Sequence, residues 1–153
     1  MIDLAIKHLI KEEGLKLIPY TCSGGWWTIG VGHLIDSRKG GRLPPGIHSF
    51  PISEQQARQI LGDDIHKVHT DLVMSLPYWY QLSKVRQACL ISMAFQMGVS
   101  GLMGFKNTLK MVEEGNYVGA ATNMLRSKWS RQTPGRANRI ANAMATDRES
   151  YLV

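Results

Sequence analysis

Only two cysteines, Cys22 and Cys89, occur among the 153 residues. That is too few for a disulfide-stapled scaffold, and their spacing matches no structural zinc site. No run of about 18 apolar residues exists, so no stable membrane insertion is expected. The opening stretch, MIDLAIKHLIKEEG, has an early acid and no small-residue cleavage site, unlike a secretory signal. The expectation is synthesis and folding in a cytosol, without an export signal of the chain's own. Acids are also scarce: 12 Asp and Glu stand against 18 Lys and Arg, a net charge of +6. A basic surface suits a polyanionic partner. Blocks of five or more Lys and Arg are missing too, which excludes the usual signature of nucleic-acid binding and leaves the wall or membrane of a cell. What the chain does have is apolar mass. At 44% hydrophobic it can bury a sizeable core in one unit, in two lobes.

Ile2, Ile6, Leu9, Ile10 and Glu13 share one helical face, with Asp3 at the helix start and Gly14 just past its end. Glu13 therefore prolongs an apolar stripe at the negative end of the helix dipole. Both effects favour its protonated form. The plainer alternative, a solvated helix-end glutamate, fits Glu12 better. LKLIPY and WWTIGVGHL are rich in β-formers, are joined by TCSGG, and predict a hairpin. A third short strand or loop is expected in IDSRKGGRLPPGIHSF. Ser53 and Gln56 form a capping box that opens one long helix to about Met74. His66 and His69 within it stand three apart with no third ligand, so they are expected to be surface or satisfied residues. Shorter helices are expected at about 81–97, 105–114, 117–126 and 134–146. Cys89 lies among apolar residues and fits a small buried hydrophobe.

The fold class that follows is α+β, a single domain over 1–153. A β-containing lobe is expected at about 14–58 and a larger helical lobe at 75–153 together with 1–13, joined by the helix at about 53–74. Two lobes make a cleft, where ligands bind.

EEGLKLIPYTCSGGWWTIGVGHLI resembles the catalytic segment of the phage lysozymes of glycoside hydrolase family 24. VRQACLISMAFQMG, GFKNTLKMV and SKWSRQTPGRANRI are similar to that family's helical lobe. The likeness spans roughly residues 5–140 and is weakest at 36–52. It implies a lysozyme-like fold and an endolysin that cleaves the β-1,4 bond between N-acetylmuramic acid and N-acetylglucosamine of peptidoglycan. The family motif is a glutamate, an aspartate nine residues on and a threonine six further. Glu13 and Thr28 match, but Cys22 stands where the aspartate belongs. His33 matches the histidine that closes the motif. Arg136 matches an arginine that pairs with the catalytic glutamate. Leu34, Phe95, Thr108 and Asn123 match positions that line the saccharide cleft.

A glycosidase of this kind needs a protonated acid beside the leaving oxygen and a second group that places water or attacks the sugar. Glu13 suits the first role. Cys22 can hold or activate water, or act as a thiolate, with Thr28 beside the same water. Two readings compete. One is a peptidoglycan-binding protein disarmed by the cysteine. The other is a cysteine peptidase built on Cys22 and His33, against which no helix N-terminus stands near Cys22 to activate the thiol. No cofactor and no metal are implied. The expected partner is peptidoglycan, with no nucleic acid, and the expected state is a monomer. The resemblance also implies that a separate pore-former releases the enzyme from the host cytoplasm to the wall.

Overall fold

The computed structural model describes residues 1–21, 26–39 and 51–153. Cys22 and the part of IDSRKGGRLPPGIHSF beyond Lys39 lie outside the described residues. Within them the fold is α+β: one small antiparallel sheet near the N-terminus, and helices over most of the rest.

Helix α1 (Ile2–Glu13) is followed by strands β1 (Lys16–Thr21), β2 (Trp26–Gly30) and β3 (His33–Lys39), which lie in the order β1-β2-β3. The third strand expected in IDSRKGGRLPPGIHSF is β3, which starts two residues early, at His33 within WWTIGVGHL. Gly30 and Gly32 both adopt left-handed backbone, at φ +64° and +66°. They turn the chain around Val31, a conformation that a side chain would resist.

Helix α2 (Glu54–Ser75) starts at the expected capping box. The Ser53 amide donates to Gln56 Oε1 at 2.7 Å, and the Gln56 amide donates to Ser53 Oγ at 3.0 Å. Helix α3 (Lys84–Met103) runs past its expected end. Gly98, at φ 80° and ψ 158°, breaks it, and the chain then resumes a helical path to Met103. Next come α4 (Lys106–Glu113), α5 (Tyr117–Leu125), α6 (Lys128–Gln132) and α7 (Pro134–Thr146). Helix α6 was not expected; it is barely more than one turn, started by Ser127, whose Oγ accepts from the Ser130 amide at 3.2 Å.

The chain divides into two compact units, Leu9–Asp64 and Met1–His8 with Ile65–Val153. The divisions fall inside α1 and inside α2. In the smaller unit Ile29, Ile52 and Ala57 form a buried cluster, with Leu15, Ile35 and Ile60 packed against it. The Ile52 amide donates to the Leu17 carbonyl at 2.8 Å and ties the chain entering α2 to β1. In the larger unit, Leu90, Ile91 and Met93 of α3, Met124 of α5, and Ile140 and Met144 of α7 are fully buried. Burying each such side chain contributes about 1.5–3 kcal/mol, so this helical core is the main source of that unit's stability.

Candidate active site

Glu13 is the last residue of α1. Gly14 follows at φ +72°, and its amide donates to the Ile10 carbonyl at 2.9 Å. A left-handed glycine here ends the helix and sends the chain into β1. Glu13 thus stands at the helix-to-strand junction, and its side chain is part-exposed.

Thr28 sits on the central strand, in register with Tyr20 of β1 and Leu34 of β3. Residues directly opposite one another share a face, so the sheet gathers Thr28 and Leu34 on one side. Thr28 is buried, and Leu34 is about half exposed. Ile29 and His33 pair one step along. His33 Nδ1 lies 2.6 Å from Asp64 Oδ2 of α2. The carboxylate accepts a hydrogen bond from the ring N–H and thereby fixes which way the imidazole faces. Asp64 did not stand out in the sequence. Its neighbour Asp63 has the same charge, and only the contact distinguishes them.

In the larger unit Arg136, on the first turn of α7, is buried. Its Nη2 donates to the Ser92 carbonyl and to Ser92 Oγ, each at 3.1 Å. Ser92 Oγ also lies 2.8 Å from Nε2 of His8, while His8 Nδ1 donates to the Leu152 carbonyl at 3.0 Å. A carbonyl can only accept, so Nδ1 carries a proton. A neutral ring then leaves Nε2 to accept from the serine hydroxyl. Hydrogen bonds thus run continuously from Arg136 through Ser92 and His8 to Leu152. The sequence singled out Arg136 alone, because a lone buried Ser or His leaves no periodic signal.

Thr108 at the start of α4 and Asn123 on α5 come together: Asn123 Nδ2 donates to Thr108 Oγ1 at 3.2 Å. Both line a groove of about 490 Å³, with Gly101, Gly104, Phe105, Lys106, Asn107, Arg126 and Ser127. Phe95, on α3, is part-exposed and is not among these lining residues. Trp129 supports the groove from behind. Its Nε1 donates to Gln96 Oε1 at 2.8 Å, and its ring meets Phe105 edge-on with centroids 6.2 Å apart.

Of the remaining candidates, His69 Nε2 accepts from Trp79 Nε1 at 3.2 Å. Burial, helped by the neighbouring His66, lowers its pKa, which keeps it neutral and able to accept. Cys89 is fully buried, and burial pushes its thiol well up. Among the described residues no group of three His, Cys, Asp or Glu could hold a metal ion. Among them, too, no single helix is long and apolar enough to cross a membrane.

A family model described as "Phage lysozyme" matches residues 10–148. "Probable T4-type lysozyme 1" of Dictyostelium discoideum is 32% identical, over 93% of this chain and 94% of its own length. "Endolysin" of Acyrthosiphon pisum secondary endosymbiont phage 1 is 29% identical, over 80% and 75% respectively. "Pre-baseplate central spike protein Gp5" of Enterobacteria phage T4 is 32% identical over 95% of this chain but only 28% of its own, so the same unit also occurs inside a larger protein.

Proposed function

The chain belongs to the phage lysozyme family, a family of glycoside hydrolases that act on peptidoglycan, and on that premise we propose that it is a muramidase. It cleaves the β-1,4 bond between N-acetylmuramic acid and N-acetylglucosamine and lyses the host cell. Support comes from the position of Glu13, the last residue of α1, immediately before a sheet whose central strand carries Thr28. In this reading Glu13 protonates the leaving oxygen. Cys22, nine residues on, and Thr28 hold the water that attacks the opposite face of the sugar. Inversion at the anomeric carbon follows, because a thioglycoside formed by a nucleophilic Cys22 would hydrolyse slowly. Leu34, Phe95, Thr108 and Asn123 contact saccharide. The enzyme works as a monomer and reaches the periplasmic wall from the host cytoplasm through a separate pore-former.

Glu13→Gln tests the acid. A neutral amide cannot supply the proton, and activity should fall by about 100-fold or more. Wild-type rates from a folded Glu13→Gln variant sink the mechanism. Cys22→Asp should clear outer-membrane-permeabilised cells, whereas Cys22→Ala should lose most activity. Proton NMR of the first-formed reducing ends should show the α-anomer. An initial β-anomer, or a sugar adduct on Cys22, overturns inversion. The cysteine at the aspartate position also keeps a second reading open, a wall-binding protein without activity. It predicts that the wild type sediments with walls and never clears them.

A further inference from the structure

We propose that His8 is a positioning residue for Arg136: its bare Nε2 takes the Ser92 hydroxyl proton and so turns that oxygen towards the guanidinium, an arrangement that acid reverses. The inference rests on the reading of the chain as a muramidase that uses Arg136, and it adds a pH-sensitive group behind that arginine.

His8, Ser92 and Arg136 come from three helices of the larger unit, α1, α3 and α7. All three side chains are buried. A hydroxyl has one proton and two lone pairs, and a guanidinium can only donate. The Ser92 proton therefore cannot point at Arg136. His8 supplies its acceptor at 2.8 Å, and Arg136 Nη2 then finds a lone pair on the same oxygen at 3.1 Å. The Ser92 carbonyl holds the same Nη2, also at 3.1 Å. This depends on the tautomer of the ring. A proton on Nε2 would bring a second donor to the hydroxyl, and the Leu152 carbonyl guards against that by taking the Nδ1 proton at 3.0 Å. Packing alone does not ask for such a ring: Leu4, Ala5 and Leu9, beside it on α1, are buried and apolar. A buried imidazole is costly unless its nitrogens are used, and here both are.

Acid changes the roles. An imidazolium donates from both nitrogens. Ser92 Oγ then faces two cationic donors, and its own proton loses its acceptor. The two charges repel in a site where burial leaves little water between them. Other charged groups near His8 are of both signs. Helix α7 brings Arg136 and, one turn on, Arg139. Helix α3 brings Ser92, and none of that residue's neighbours one turn away is charged. The C-terminal segment brings the Leu152 carbonyl, with the exposed Glu149 a turn before it and the Val153 carboxylate after it. On α1 itself Lys11 and Glu12 stand one turn from His8 with opposite charges. Arg136 shares an oxygen with His8, so its repulsion acts on the hydrogen bond itself.

Two substitutions separate the two ends of the ring. Glutamine carries its amide at about the reach of Nε2, so His8→Gln keeps an acceptor for Ser92 without a titrating group. Asparagine carries its amide at about the reach of Nδ1, so His8→Asn keeps the bond to Leu152 and drops the one to Ser92. Peptidoglycan turnover by the whole chain is followed from neutral pH into mild acid, and thermal melts at each pH confirm that both variants are folded. At neutral pH His8→Asn should lower kcat by about tenfold with KM nearly unchanged, because a misplaced group costs rate rather than binding. His8→Gln should restore most of that loss, and its kcat should fall less steeply in acid than that of the wild type. Nitrogen-15 NMR of the wild-type His8 ring at neutral pH should show the proton on Nδ1 and a bare Nε2. Wild-type kcat in folded His8→Asn would overturn the proposal, as would an unchanged acid limb in His8→Gln or a proton on Nε2 at neutral pH. Equal losses in both variants would also overturn it, since the network would then only hold the fold. A wild type that turns over no peptidoglycan would instead remove the muramidase reading, and this inference with it.

Discussion

Replacing Ser92 with alanine deletes one oxygen at a site only 1% exposed. Two hydrogen bonds disappear, to His8 Nε2 at 2.8 Å and from Arg136 Nη2 at 3.1 Å. Water cannot easily replace the lost oxygen there. A buried bond broken on one side costs about 1–3 kcal/mol, towards the upper end where a charge is involved. Arg136 keeps the Ser92 carbonyl at 3.1 Å, which holds its share at the lower end. The sum is about 2–3 kcal/mol. For a chain of this length each kcal/mol moves Tm by about 2–4 °C, so Ser92→Ala should melt some 4–12 °C lower. Urea denaturation followed by circular dichroism gives the free energy directly, provided the slope against denaturant is unchanged. Pairing the substitution with His8→Ala should reveal a coupling of about 1 kcal/mol. A destabilisation below about 0.5 kcal/mol, or strict additivity of the two substitutions, would mean that the hydroxyl does not join His8 to Arg136.

Two further outcomes follow from buried groups. Tyr78 donates to the Leu109 carbonyl at 3.2 Å, and burial, with Glu113 nearby, pushes its pKa up to about 12. Between pH 10 and 12 the unfolded chain releases the phenolic proton while the fold retains it, so stability falls as pH rises, by up to about 1.4 kcal/mol per pH unit. Tyr78→Phe should flatten that fall, and urea midpoints with the same pH slope in both proteins would refute it. In a Cys22→Ser background, Cys89 should react with a thiol reagent only as the protein unfolds, because its thiol is buried and its thiolate disfavoured. Rapid labelling in native buffer would contradict that placement.

The parts of the fold that the sequence disclosed are those written in short-range chemistry. The Ser53–Gln56 capping box is complete within four residues, and α2 starts there. Glu13 and Gly14 likewise announce a helix end. The turn at Val31 was missed because β-formers flank Gly30 and Gly32 on both sides. Helix α6 was missed because its few residues cannot set a period. At the candidate site, Thr28, His33, Arg136, Thr108 and Asn123 were named through the family resemblance. Their partners Asp64 and Ser92 were not, since each is selected by a contact across 31 or 44 residues.

The bond from His8 to the Leu152 carbonyl spans 144 positions. This has a consequence for the order of events during synthesis. At about 5–20 residues per second, His8 is synthesised roughly 7–30 s before its partner. Residues 9–64 form a unit that is contiguous in the chain, with Ile29, Ile52 and Ala57 as its buried cluster. The first eight residues belong to the other unit, and must be held back until its last segment emerges. The long loop closed at that step makes it entropically slow. Leu4, Ala5 and His8, buried in the folded protein, gain that cover only when the segment around Leu152 has been made.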